Sequence, residues 1–174
     1  MIIVIRTLIG GHLLRFYYFL SLCLFSIFTI SLGTNLLLPN MRLSFIAELC
    51  FAVFLAIPIL TITNEIFHEH QVDKDTIKGG ICVYLLLGLF WASLYEMVLH
   101  LNPLAFKSGD EPNPDMVYFS FTTLSTLGYG DIVPVDRFAR ILSNLEAMTG
   151  ILYPNIFIAR LVSLYSQKSP PPAT

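Results

Sequence analysis

The ten residues TTLSTLGYGD occupy positions 122–131, and they determine how the rest of the chain is interpreted. Two glycines, Gly128 and Gly130, flank a tyrosine directly before an aspartate, a pattern that ends a helix. Just upstream, the residues Asn-Pro-Asp at 113–115 supply an N-cap, a proline at the first helical position and an acid in the first turn. The segment therefore predicts a short helix over 114–125 that leads into an irregular loop.

Long apolar runs lie on both sides of this segment. The chain of 174 residues is 55% hydrophobic and only 13% charged, which is about half the charged fraction of a soluble domain. A 23-residue run at ~1.5 Å per residue is long enough to cross a hydrocarbon core of ~30 Å. The runs of this kind are Phe16–Leu38, Leu43–Thr63, Gly79–Leu101 and Ile141–Ala159. They predict an all-α integral membrane protein with four transmembrane helices per chain.

The connection between the third and fourth runs, residues 102–136, is too short to cross the membrane and return as two full helices. It must therefore enter and leave by the same face. Irregular backbone at membrane depth is tolerated only where protein buries it or where it lines a water-filled cavity. The chain thus predicts a re-entrant pore helix and loop before any signature is considered.

Composition and spacing argue against other classes of protein. Ten Lys and Arg residues against twelve Asp and Glu leave no basic excess for nucleic acid. The cysteines Cys23, Cys50 and Cys82 lie in apolar runs without a C-x-x-C spacing and are interpreted as small buried hydrophobes. The histidines of the stretch 65–70 are two residues apart, which favours solvated loop residues over a metal site and leaves pH sensing open. We expect neither an enzyme activity nor an organic cofactor.

The stretch 122–131 resembles the pore signature of potassium channels, T-x-x-T-x-G-Y-G-D. The matching residues are Thr123, Thr126, Gly128, Tyr129, Gly130 and Asp131. The resemblance implies a pore domain over 79–165, preceded over 16–63 by two extra N-terminal transmembrane helices, as in a single-pore channel of the prokaryotic type. The implied outer helix, pore helix, filter and inner helix cover 79–101, 114–125, 126–131 and 137–165, respectively.

The resemblance also implies an orientation in the plasma membrane. Relatives place the aspartate of the signature outside, which puts Asp131 outside and both termini of this multi-pass protein in the cytoplasm. The segments predicted to be cytoplasmic are 1–15, the loop 64–78 and the tail 166–174, which its proline-rich sequence predicts to be disordered.

The chemistry of the signature suits a dehydrated cation. A potassium ion entering a pore exchanges its hydration water for stacked rings of backbone carbonyls, here expected from Thr126, Leu127, Gly128 and Tyr129, with the Thr126 hydroxyl as the innermost ring. Aiming successive carbonyls at one axis requires positive φ at some residues, which glycine accepts. Because each chain supplies one carbonyl per ring, we expect a homotetramer around a central pore, surrounded by membrane lipids and holding K⁺ in the filter.

The inner helix carries the predicted gate. Potassium channels have a glycine about twenty residues after the filter that lets this helix bend, and Gly150 occupies that place. Pro154 cannot donate a hydrogen bond to Gly150, so both residues predict a hinge, while close helix packing at Gly150 is the alternative. From Gly150 inward, Ile151, Ile158 and Val162 share a stripe with Pro154 and are the predicted pore-lining gate.

Other residues are predicted to support the filter. Thr123 and Gly130 belong to the signature, and the Tyr118 hydroxyl is placed to bond to Asp131. Glu146 lies in an apolar run, where a charge costs several kcal/mol. We expect it to form a structural hydrogen bond to the filter or the pore helix, with proton sensing as the alternative.

The function predicted from these features is passive, potassium-selective conduction without strong voltage gating. The only arginine between residues 16 and 63 is Arg42, in a loop, whereas a voltage sensor needs several in one helix. No regulatory domain is expected after Arg160. Two alternatives remain open: a cation channel with relaxed K⁺/Na⁺ selectivity, which Leu127 in place of the usual valine or isoleucine allows, and a non-conducting regulatory or scaffold subunit.

Overall fold

A computed structural model describes residues 41–68, 74–109 and 114–168. Its elements in chain order are α1 (Met41–His68), α2 (Lys74–Leu101), β1 (Phe106–Ser108), α3 (Met116–Leu124), β2 (Ile132–Pro134) and α4 (Arg137–Lys168). Three helical segments are long and apolar enough to cross a membrane, namely Ser44–His68, Asp75–Leu101 and Arg137–Ser166. The prediction of a mostly helical membrane protein is confirmed, and the predicted first span, 16–38, lies outside the described residues.

Helices α1 and α2 are longer than their apolar runs. Within the predicted loop 64–78, residues 64–68 and 74–78 are helical instead, because α1 continues to His68 and α2 begins at Lys74. Polar residues extend both helices through local bonds: Nδ1 of His68 lies 2.8 Å from the carbonyl oxygen of Asn64, and Lys78 pairs with Asp75 at 3.2 Å. The apolar runs therefore did not predict where α1 ends or where α2 begins.

The short helix α3 begins later than predicted. Its N-cap is Asp115, whose carboxylate accepts from the amides of Val117 and Tyr118 at 2.9 and 3.0 Å. The pattern Asn-Pro-Asp predicts Asp115 inside the first turn and a helix start at Pro114. Asp115 has extended backbone angles, as an N-cap residue requires, so its acid caps the helix directly.

A two-stranded ribbon was missed by the all-α prediction. Strands β1 and β2 pair antiparallel, with Phe106 opposite Pro134 and Ser108 opposite Ile132. Next to the ribbon, the carbonyl of Ala105 accepts from the amides of Val135 and Asp136. Three-residue strands give no periodic signal in the sequence. They form because the chain leaving α2 runs beside the chain leaving the loop 125–131, where each satisfies the other's backbone groups.

The core lies where α2, α3 and the ribbon meet. Tyr95, Phe106 and Phe119 contact one another edge to face, with ring centroids 5.0 to 5.6 Å apart. Trp91, the only tryptophan in the chain, belongs to the same buried cluster. This aromatic packing holds the short helix α3 between the two long helices α2 and α4.

Candidate functional site

The loop between α3 and β2 contains the predicted filter, and its first amides fold back onto the end of α3. The amide of Thr126 donates to the carbonyl of Thr123 at 2.9 Å. The carbonyl of Thr122 accepts from the amides of Leu127 and Gly128 at 2.9 and 3.1 Å. These bonds satisfy carbonyls that a helix end leaves without partners, and they fix the point from which the loop departs.

The carbonyl oxygens of residues 126–129 have no comparable partners. Within residues 41–68, 74–109 and 114–168, no backbone or side-chain donor bonds to any of these oxygens. The residues of the loop from 125 to 131 are all exposed in the single chain. An exposed row of carbonyl oxygens without protein donors is available to a cation.

The backbone of this loop alternates in handedness. Positive φ angles occur at every second residue: 59° at Thr126, 51° at Gly128 and 81° at Gly130. The sequence predicted such an alternation from the two glycines and gave no indication that Thr126 would join it. A positive φ at a threonine is uncommon because its branched Cβ crowds the backbone, so the surrounding hydrogen bonds must impose it.

Tyr118 links α3 to the second half of the loop 125–131. Its ring stacks on that of Tyr129, with centroids 6.3 Å apart and planes 1° from parallel. Hydrogen bonding from the Tyr118 hydroxyl holds the pKa of the Asp131 carboxyl below its usual range. The same interaction raises the pKa of Tyr118 to about 12. The ring and the hydroxyl of one residue thus contact two residues of the loop.

We expect the Tyr118→Phe substitution to make the thermal stability of the protein less dependent on pH in the acid range. In the wild type the lowered pKa of Asp131 contributes stability that is complete above the ordinary aspartate pKa of about 4. That contribution is lost as pH falls through the lowered pKa. The thermal midpoint of Tyr118→Phe, followed by Trp91 fluorescence, should therefore lie below that of the wild type at pH 7 and converge with it in acid.

Tyr165→Phe is the matched control for this measurement, because Tyr165 is an exposed tyrosine of α4 far along the chain from the filter. Its midpoint should follow that of the wild type at every pH. A constant difference between wild type and Tyr118→Phe from neutral to acid pH would show that the hydroxyl does not act through Asp131.

Helix α4 contacts α3 directly through Gly150. A Cβ added at Gly150 would lie 1.8 Å from the carbonyl oxygen of Leu124, so only glycine fits. One turn earlier, Glu146 is completely buried and bonds to Ser120 of α3. Helix α4 runs without interruption through Gly150 and Pro154. The hinge role of Gly150 and Pro154 stays a prediction. Independently of that role, the close packing of α4 on α3 requires a glycine at position 150.

The predicted pore-facing side chains are exposed in the single chain. Ile151, Ile158 and Val162 lie on α4 with more than half of their surface accessible. Leu127 and Tyr129 of the loop 125–131 are 56% and 67% exposed. Large apolar side chains in these positions are available for contacts with lipid or with further copies of the chain.

Sequence reasoning missed several hydroxyl groups that position α3. Tyr84 of α2 donates to the carbonyl of Leu124 at 3.3 Å, and Tyr95 donates to Glu146. Ser120 bonds to the carbonyl of Gly88 at 2.7 Å. The available signal was the presence of tyrosine and serine inside apolar runs, where a hydroxyl needs a partner.

These features form a capped short helix, a carbonyl-lined loop and two flanking membrane helices. A family model described as ion channel matches residues 80–167, half of the chain, and covers this whole arrangement. The chain belongs to the ion channel family. Potassium channels are among the relatives of this ion channel, which confirms the predicted resemblance to the potassium channel family. The family consists of ion channels and not of enzymes.

Curated relatives match segments of different length in this ion channel. Potassium voltage-gated channel protein shk-1 of Caenorhabditis elegans is 31% identical over 47% of the chain and 16% of its own length. Voltage-gated potassium channel Kch of Escherichia coli is 26% identical over 77% of the chain and 36% of its own length. Protein LctB of Bacillus caldotenax is 28% identical over 58% of the chain and 80% of its own length.

The chain therefore spans between about a sixth and about a third of the first curated relatives it matches. No solved structure matches it.

Proposed function

We propose that four copies of this chain form a potassium-selective channel that conducts K⁺ passively through a central pore. The observation that carries the proposal is the loop 126–131, where positive φ at every second residue coincides with carbonyl oxygens that have no donor in the described chain. K⁺ is the transported ion, and the carbonyls of Thr126, Leu127, Gly128 and Tyr129 are its ligands. Thr123, Gly130, Asp131 and Tyr118 support them.

The alternation of φ explains how one strand can present several ligands. Reversing the handedness at every second residue turns successive peptide planes, so that their oxygens can face one axis. A single strand surrounds only one side of an ion. Four strands related by rotation complete each ring, and the exposed apolar side chains of α4 provide contact surface for the neighbouring copies.

The end of α3 adds a favourable field for a cation. Its carboxyl-terminal end carries roughly −0.5 elementary charge from aligned peptide dipoles. In the proposed tetramer, four such ends point at the central cavity below the filter. A cation that has left bulk water halfway across the bilayer is stabilised there.

The topology proposed with this function has four spans per chain in the plasma membrane and a re-entrant α3 with its filter loop. Asp131 faces outward, and both termini are cytoplasmic. The segment 16–38 supplies the first span. Opening does not depend strongly on voltage, since the described helix α1 has its only arginine, Arg42, near its start. Gly150 and Pro154 form the hinge, and Ile151, Ile158 and Val162 form the gate.

Reconstitution in liposomes tests the proposed function. Purified protein is placed under opposed K⁺ and Na⁺ gradients, and the reversal potential of its current is measured. We expect a value near the potassium equilibrium potential. A current that reverses near zero would indicate a cation channel with relaxed selectivity. No current in vesicles that respond to a potassium ionophore would favour a non-conducting regulatory or scaffold subunit.

A further inference from the structure

A buried hydrogen-bond network joins the three helices around the filter. At its centre is Glu146 of α4, whose side chain is completely shielded from solvent, as are Tyr95 and Ser120. Oε2 of Glu146 lies 2.5 Å from the Tyr95 hydroxyl, and Oε1 lies 2.5 Å from the Ser120 hydroxyl. The same Ser120 oxygen lies 2.7 Å from the carbonyl oxygen of Gly88. The carboxyl group thereby connects α4 with both α2 and α3.

Counting hydrogen atoms in this network determines which groups must donate. Tyr95 and Ser120 carry one hydroxyl hydrogen each, and the Gly88 carbonyl carries none. The Tyr95 hydrogen serves the contact with Oε2. The Ser120 hydrogen can serve either Gly88 or Glu146, yet both contacts are of hydrogen-bonding length. A third hydrogen is therefore required, and the carboxyl group of Glu146 is the only member of the network that can bear it.

The surroundings of Glu146 also favour a neutral carboxyl group. Within the described helices, no Lys, Arg or His nitrogen lies at ion-pair distance from its carboxyl group. The groups that contact its carboxyl oxygens are hydroxyls: Tyr95 from α2 and Ser120 from α3. An ionised carboxylate buried without a cation is costly, whereas a carboxylic acid with all its hydrogen bonds made is not.

We propose that Glu146 is a neutral carboxylic acid that donates to Ser120 and so fixes the pore helix between the outer and inner helices. Ser120 passes its own hydrogen on to the carbonyl of Gly88, and Tyr95 donates to the second carboxyl oxygen. Glu146 is a positioning residue: it holds the helix that carries the filter and touches no ion. Its effect on conduction rests on the proposed function, whereas its protonation does not.

The position of Glu146 explains why this anchor matters. Glu146 and Gly150 occupy successive turns of α4, and their partners Ser120 and Leu124 occupy successive turns of α3. The contact between Glu146 and Ser120 is a hydrogen bond, and the contact between Gly150 and Leu124 is packing against the backbone. Together they fix both the position and the rotation of α3, and hence the direction in which the filter loop leaves it.

Infrared spectroscopy of the purified full chain at neutral pH tests the protonation directly. A buried carboxylic acid has a C=O stretching band separate from the amide bands. We expect the wild type to show such a band that Glu146→Gln removes. Ser120→Ala removes the acceptor of the acid proton, so the same band should move to higher frequency. Identical spectra of the wild type and Glu146→Gln in this region would overturn the proposal.

Stability supplies a second readout that needs no ion flux. Glutamine reproduces a neutral acid, because its NH₂ group donates to Ser120 while its oxygen accepts from Tyr95. Glu146→Gln should therefore keep the thermal midpoint reported by Trp91, as should the control Glu48→Gln in α1. Glu146→Ala removes the acceptor of the Tyr95 hydroxyl hydrogen and the donor to Ser120, and should lower the midpoint by about 5 °C or more.

An equal decrease of the thermal midpoint in Glu146→Gln and Glu146→Ala would overturn the proposal, because glutamine can replace a neutral carboxylic acid but not an ionised carboxylate. Absence of current from the wild type would contradict the proposed function alone and would leave the band and the midpoints unaffected.

Discussion

Gly150→Ala is expected to abolish ion flux and to lower the thermal midpoint of the purified protein. A Cβ at this position would lie 1.8 Å from the Leu124 carbonyl oxygen and 2.7 Å from its carbon. These are backbone atoms, so no rotation of a side chain can make room. Overpacking of this kind costs about 1–3 kcal/mol. Relief requires moving the end of α3, where Thr122 holds the first amides of the filter loop.

The sign of the stability change makes this prediction decisive. In an unobstructed helix, replacing glycine by alanine stabilises by about 1 kcal/mol, because alanine has the better helix propensity. A residue that served only as a hinge would therefore give a more stable protein with impaired opening. Trp91 fluorescence during thermal unfolding measures the midpoint, and potassium flux from liposomes measures conduction.

Gly109→Ala is the matched control, since a Cβ at Gly109 meets no atom within 4 Å. Its midpoint and flux should equal those of the wild type. Pro154→Ala separates the two roles of this region, because it removes the second predicted hinge residue without adding atoms next to α3. A Gly150→Ala protein with a raised midpoint would show that the packing on Leu124 is not a constraint.

The membrane-spanning segments could be predicted because their signal is local. Runs such as 43–63 and 79–101 are predominantly apolar over the thickness of a bilayer, with a single acidic residue in each, and each lies inside an observed helix. The end of α1 and the start of α2 could not be predicted, since polar residues such as Asn64 and Asp75 are helical beyond the apolar runs. The ribbon of β1 and β2 depends on two segments far apart in the chain, which no local pattern reveals.

The candidate site also combines features that residue type predicts with features that depend on packing. Gly128 and Gly130 predict positive φ from residue type alone, whereas Thr126 adopts it because its neighbours impose it. A glutamate in an apolar run predicts a partner for Glu146. That the partners are Tyr95 and Ser120 depends on how three helices pack, and a single sequence does not contain that information.

The filter loop allows conformation and bulk to be tested separately at Gly128. Its φ of 51° lies in the left-handed region, where an L-residue pays about 1–2 kcal/mol. A Cβ at Gly128 would meet no atom of its own chain within 4 Å. The single chain therefore has space for the methyl group of alanine at this position, whereas the positive φ of the loop disfavours an L-residue.

Gly128→Ala is accordingly expected to remove potassium selectivity while lowering the thermal midpoint by no more than the several degrees that this backbone strain produces. Four strained copies meet at one axis in the proposed tetramer, and a rotated peptide at Gly128 takes the Leu127 carbonyl out of its ring. The reversal potential under opposed K⁺ and Na⁺ gradients should fall toward zero, or the current should vanish. D-alanine at 128, introduced by semisynthesis, adds the same methyl group but favours positive φ, so it should restore selectivity. If L-alanine left the reversal potential at the potassium value, the alternating backbone would not be the origin of selectivity.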